Sequence, residues 1–81
     1  MYQWNQLAHM SKLPVLTPRK VVQKLEKMGF VKDHSSGSHQ VLLHPSGRRT
    51  VVPFHVKDLK KGTLLAILRE AGISRDEFIN V

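Results

Sequence analysis

The sequence predicts an α+β domain of order α-β-β-β-α, with a three-stranded antiparallel sheet and both helices on one of its faces. Three observations carry that reading. Two segments repeat apolar residues at helical spacing, Val21-Val22-Leu25-Met28 and Leu64-Leu65-Ile67-Leu68-Ala71. Between them lie three strand-like runs separated only by the turn sequences Ser35-Ser36-Gly37 and Pro45-Ser46-Gly47; links so short join strands as an antiparallel meander. Each helix has a single apolar face, and beside one small sheet both faces are buried on the same side.

The first helix opens at Thr17-Pro18, where threonine caps and proline has no N–H to lose. It runs over 18–28 and stops at Gly29, a left-handed cap, with Phe30 folding back onto the apolar face. Arg19, Lys20, Gln23, Lys24 and Lys27 take the outer face, where Lys24 and Lys27 read as solvated. The strands are expected over 30–34, 38–44 and 48–53; Pro53 ends the third or lies on an edge, because it cannot donate to a ladder. A connector over 54–61 leads to Gly62-Thr63, which opens the second helix, and Gly72 closes it with Ile73 as the apolar cap residue. Ser74-Arg75-Asp76-Glu77 has the spacing of a capping box, which puts Phe78 and Ile79 on a last helical turn. Two helices on one sheet face, with the other face open, is the architecture of double-stranded-RNA-binding domains.

With 81 residues the chain supports one domain and one modest core. That domain is drawn at 12–81. Residues 1–11 hold Tyr2, Trp4 and His9-Met10 with no apolar period and read as a leader or an added extension. The lack of cysteine removes disulfides, thiolate metal sites and a thiol nucleophile. No apolar run approaches the ~20 residues of a membrane span and no signal peptide is visible, so the cytoplasm is the expected compartment. The net charge of +7, from 13 Lys and Arg against 6 Asp and Glu, points to nucleic acid or an acidic protein as partner. A basic membrane-surface peptide is not expected, because the lysines do not lie along one long amphipathic helix.

Among the histidines, His9 falls in the leader, and His34 and His44 flank turns as exposed polar positions. No His-x-x-x-His pair accompanies them, so no metal site is expected. His39 differs through its neighbours Gly37 and Ser38: the glycine lets a backbone come close, and the serine can orient a phosphate or the imidazole. Histidine both takes and gives a proton near neutral pH. In RNA the nucleophile can be the substrate's own 2′-hydroxyl. The protein then needs a base, cations to steady the phosphate and an acid at the leaving oxygen, but no metal, thiol or carboxylate pair. Lys57, Lys60 and Lys61, just ahead of the second helix, are phosphate-binding candidates, since helix N-terminal amides carry partial positive charge. Arg48 and Arg49 form a second cationic spot, and His55 is either a second proton carrier or a structural residue. Strand alternation leaves His39 undecided: it shares a face with Val41 and Leu43, and points outward only if Gln40 and Leu42 face the core.

An ordered set of residues spanning about 12–79 resembles the HicA toxins of HicA–HicB toxin–antitoxin systems. It comprises Leu13-Pro14, Val21 through Leu25, Gly29-Phe30, Gly37-Ser38-His39, His44-Pro45-Ser46-Gly47-Arg48 and Val52-Pro53-Phe54-His55. It continues through Leu59-Lys60-Lys61-Gly62-Thr63-Leu64, Ile67-Leu68, Ala71-Gly72-Ile73 and Phe78. The resemblance implies a double-stranded-RNA-binding-like fold, metal-independent endoribonuclease activity on mRNA without a cofactor, and neutralisation by a HicB-like antitoxin. It carries the family's essential histidine onto His39. Two positions depart from the family pattern: Ser46 stands where an acid or Asn is usual, and Gln40 where a second histidine is frequent. A two-histidine scheme through position 40 is therefore weakened. Two rivals from other classes remain, an RNA-binding module without catalysis and a basic interaction domain for an acidic protein. Shortening of RNA separates the first from the lead; little RNA affinity at moderate salt marks the second.

Overall fold

The computed structural model describes residues 13–81, so the expected leader at 1–11 lies outside the described residues. The chain runs α1 (Pro18–Lys27), β1 (Val31–Ser36), β2 (His39–Leu43), β3 (Arg49–Pro53), α2 (Lys61–Ala71) and α3 (Arg75–Ile79). The sheet is antiparallel in the order β1-β2-β3. This is the α+β arrangement that the sequence predicts.

Local chemistry sets the helix ends. Thr17 Oγ1 accepts the Lys20 N–H at 3.2 Å and Pro18 opens α1. At its other end Gly29 sits at φ 99°, Gly29 N–H donates to the Glu26 carbonyl and Phe30 N–H to the Leu25 carbonyl. That is a Schellman closure, which satisfies carbonyls the helix leaves open. Gly72 and Ile73 repeat it on Arg69 and Leu68 at the end of α2. The capping box forms as well: Ser74 Oγ accepts Glu77 N–H at 3.1 Å, and Glu77 Oε1 accepts Ser74 N–H at 2.9 Å.

Val21, Val22 and Leu25 of α1 and Leu64, Ile67, Leu68 and Ala71 of α2 form one core with Phe30, Leu42, Val52, Ile73 and Phe78. Leu65, expected in the same stripe, is only half-buried. Both helices thus cover the sheet face carrying Leu42 and Val52. Thr50, on that face, is fully buried, and its hydroxyl lies 3.3 Å from the Ile67 carbonyl and 3.1 Å from Glu70 Oε1. Its polar atom is therefore satisfied where helix meets sheet.

Several expectations are corrected. Phe30 belongs to the helix closure and the core, and β1 begins at Val31 and runs on to Ser36. The first hairpin turn shrinks to Gly37-Ser38, since Ser36 already pairs with His39. All six β1 residues are exposed, and a bulge between Lys32 and His34 leaves Asp33 unpaired in the ladder. Lys24 is not simply solvated: its Nζ donates to the carbonyls of Phe78 at 3.0 Å and Val81 at 3.2 Å, tying α1 to the end of α3. His44 is half-buried rather than an exposed polar position. Its ring meets Phe30 edge-on at 5.0 Å, and a Cβ at Gly29 would stand 2.9 Å from its Nε2.

Arg48 is also drawn into the fold. Its Nη1 donates to the Ala71 carbonyl at 2.9 Å, its Nε to Ser46 Oγ at 2.8 Å, and its guanidinium lies 5.5 Å over the Phe30 ring. A cation on the last carbonyls of α2 complements the helix dipole. Arg48→Ala is expected to lower stability by about 1–2 kcal/mol, read as a lower Tm, because it leaves a part-buried carbonyl without its donor. The capping box makes a pH-dependent contribution. The Ser74 N–H, and after it the Ser74 hydroxyl, hold the Glu77 carboxyl below its ordinary value of 4.5. A folded-state pKa below the unfolded one gives stability that is present above the unfolded value and lost as pH falls through the folded value. Backbone carbon shifts of residues 75–79 are therefore expected to stay helical above pH 4.5 and to decay below it, with no such step in Glu77→Gln.

Candidate functional site

The register of β2 decides where His39 points. Leu42 is fully buried against the helices, so Gln40 shares its face and His39, Val41 and Leu43 take the other. Val41 is 4% exposed but stands apart from the core, between its cross-strand partners His34 and Val51. His39 is exposed on the open sheet face, at the first residue of the strand.

The turn before it is short and has little freedom. Gly37 adopts φ 60° and no non-glycine residue has a positive φ among the described residues, the glycine-first pattern of a II′ hairpin turn. The Phe54 N–H donates to the Ser38 carbonyl at 2.6 Å, which continues the β2–β3 ladder one step past the His39–Pro53 pair. That bond holds the start of the connector against the turn. His55, next in the chain, comes to rest beside His39, with ring centroids 5.7 Å apart and planes tilted by 56°. Ser38 Oγ lies 3.3 Å from His55 Nδ1.

His39 and His55 open into a cleft of about 360 Å³ shared with Asp58, Leu59, Lys60 and Thr63. Leu59 is its anchor, buried in the core and donating its N–H to the Leu16 carbonyl at 2.9 Å. On the other side of His39 is a second cleft, of about 450 Å³, whose walls include Arg19, Lys32, Gln40 and the exposed Phe54. His39 therefore stands on a ridge between two hollows with cations in both. Gln40 is not free: its amide donates to the His34 and Val41 carbonyls at 3.0 Å and accepts from the Ser35 hydroxyl.

Helix α2 starts earlier than expected. Lys60 is its N-cap residue and makes no side-chain cap bond, and Lys61 opens the first turn, with Gly62 and Thr63 inside it. Positive charge here opposes the helix dipole, so stability does not account for Lys60 and Lys61. The exposed lysines and the uncapped amides together make this end of the helix a positive surface of the kind that suits an anion. Lys57 is likewise exposed on the connector.

The candidate residues thus divide. Gly37, Ser38, His39, Lys60 and His55 are brought to one end of the sheet, with Lys57 and Lys61 beside them in the chain. Arg48 and Arg49 are not: Arg49 pairs with Leu43 at the far end of β2, ~13 Å away by strand rise. Arg49 is exposed there, whereas the Arg48 guanidinium is taken up by Ala71 and Ser46. His34 is exposed with its Nδ1 2.6 Å from Asp33 Oδ2. Among the described residues, no three His, Asp or Glu side chains converge as a metal-ligand set. His55 is the residue that sequence reasoning left undecided; the only signal for it was a second histidine in the lysine-bearing connector.

A comparison with protein-family models matches residues 18–73 to the HicA toxin of bacterial toxin–antitoxin systems. A search of curated proteins found no match. The matched stretch runs from the first residue of α1 to the Ile73 cap of α2 and includes both histidines of the cleft and all three connector lysines. On that match, covering more than half of its length, the chain belongs to the HicA toxin family of bacterial toxin–antitoxin systems.

Proposed function

We propose that this toxin is a metal-independent endoribonuclease that cleaves mRNA, with His39 as its proton-transfer group. The observation that carries the reading is the exposure of His39 at a turn fixed on both sides, on a ridge between two clefts and next to Lys60. A structural histidine would be packed, as His44 is against Phe30.

The chemistry follows from what such a residue does to RNA. The His39 imidazole takes the proton of a 2′-hydroxyl, whose oxygen attacks the adjacent phosphorus as the P–O5′ bond breaks. The products are a 2′,3′-cyclic phosphate and a 5′-hydroxyl. Lys60, with Lys57 and Lys61, steadies the negative phosphate, and Arg49 extends the cationic track along the open face. A HicB-like antitoxin, acidic where this chain is basic, neutralises the toxin by covering that surface in the cytoplasm.

End-labelled single-stranded RNA incubated with the protein in excess EDTA tests the reading. Cleavage by the unmodified protein, slowed at least ~10²-fold in His39→Ala, is the expected result. Binding without shortening of the RNA by either protein would sink it in favour of a binding module. In the His39→Ala background, replacing Lys60 and Lys61 together with alanine is expected to weaken RNA binding. The slope of log affinity against log salt should fall by ~0.7 for each phosphate that is no longer neutralised. The same double change should leave Tm unchanged or raise it slightly, since it relieves like charges at a helix N-terminus.

A further inference from the structure

We propose that His55 is the second catalytic residue of this site, the general acid to the His39 base, and that the cleft they share seats the scissile phosphodiester. The proposal rests on the ribonuclease reading and adds to it the group that reading lacks. In the displacement at phosphorus the 2′-oxygen enters on one side and the 5′-oxygen leaves on the other. A 5′-alkoxide is a poor leaving group unless a proton meets it, and a base placed at the entering oxygen is on the wrong side to supply one. Two proton-transfer groups facing one pocket answer both needs.

Among the described residues, the structure offers one such partner. His55 and His39 have ring centroids 5.7 Å apart, tilted by 56° instead of stacked, and both line the cleft of about 360 Å³. The other groups there with charge are Lys60 and Asp58, of which only Lys60 attracts a phosphate. On the opposite side of His39, the charged residues of the second cleft are Arg19, Glu26 and Lys32. Gln40, directly after His39, has no proton to give at neutral pH, and its amide is committed to Ser35, His34 and Val41.

His55 is also held as an acid should be. The Ser38 hydroxyl lies 3.3 Å from its Nδ1. A hydroxyl accepts from the Nδ1–H of an imidazolium and donates to the Nδ1 of a neutral ring, so Ser38 orients His55 in both protonation states. Nε2 is left as the nitrogen that exchanges a proton. In the balanced step, His39 takes the 2′-hydroxyl proton, O2′–P forms and P–O5′ breaks. The imidazolium of His55 gives its Nε2 proton to O5′. Both histidines return to their starting states by exchanging a proton with water. Ser38 is a positioning residue in this scheme, acting only through His55.

The experiment compares ordinary RNA with the same RNA carrying a bridging 5′-sulfur at the mapped cleavage position. A thiolate leaves without a proton, so it does not need the acid. His55→Ala is expected to slow cleavage of ordinary RNA by ~10²–10⁴-fold and of the sulfur-bridged RNA by less than ~10-fold. His39→Ala should slow both alike. The rate of the unmodified protein on ordinary RNA should fall at both acidic and alkaline pH, and His55→Ala should lose the alkaline fall. His55→Asn, which keeps a polar group toward Ser38, should behave as His55→Ala does while holding the parent Tm. Equal loss on both substrates, or a full rate on ordinary RNA, in the His55 variants would overturn the assignment while leaving the ribonuclease reading standing. Failure of the unmodified protein to cleave either substrate would remove that reading, and this assignment with it.

Discussion

The register of β2 is the constraint on which the rest of the molecule depends. Side chains alternate along a strand, so a slip of one residue would turn His39 toward the helices and Leu42 toward solvent. Burying a leucine fully contributes ~1.5–3 kcal/mol, and Leu42 belongs to one core with Val52 and the apolar faces of both helices. The Gly37-Ser38 turn and the bond from Phe54 N–H to the Ser38 carbonyl then close the strand at its histidine end. The same apolar packing that stabilises the domain thereby aims its histidine at solvent.

From that register the site follows by connection. Once Phe54 is bonded to Ser38 and Leu59 is buried, residues 55–58 have little choice but to arch over the end of the sheet. His55 arrives at His39 because it directly follows the first anchor, and Lys60 reaches the same cleft because it directly follows the second. Helix α2, anchored by Leu64, Ile67 and Leu68, presents its N-terminus to the same place. A domain of this size has one core, and here that core holds the sheet, both long helices and the connector in a single arrangement.

The cations show how context sets a role for one residue type. Arg48, half-buried and bonded to the end of α2, stabilises the fold. Lys24 does the same at the end of α3. Lys60 and Lys61 stand at the wrong end of a helix for stability, a local conflict of the kind expected where a surface serves binding. The net charge of +7 is therefore not one undifferentiated basic face: Arg48 and Lys24 are tied into the fold, whereas Arg49 and the lysines at the start of α2 stand open.

The local elements were legible in the residues themselves. Thr17-Pro18, Gly29, Gly72 and the Ser74–Glu77 box mark helix ends through chemistry that acts over three or four positions, and each behaves as its spacing predicts. The apolar periods of α1 and α2 named most of the core for the same reason. Strand ends were read less well, because Ser35 and Ser36 have turn composition but pair with Gln40 and His39 once an antiparallel partner is beside them. The roles of Lys24, His44 and Arg48 were not legible at all. Their partners Phe78, Phe30 and Ala71 lie beyond the reach of local patterning, 54 positions along the chain for Lys24 and 23 for Arg48. At the site, the sequence alone singled out His39 and the connector lysines as candidates. It could not decide which way His39 faces, since alternation allows either, nor that His55 stands beside it. Both are decided by burial of Leu42 and by one long-range backbone hydrogen bond, which exist only in the folded chain.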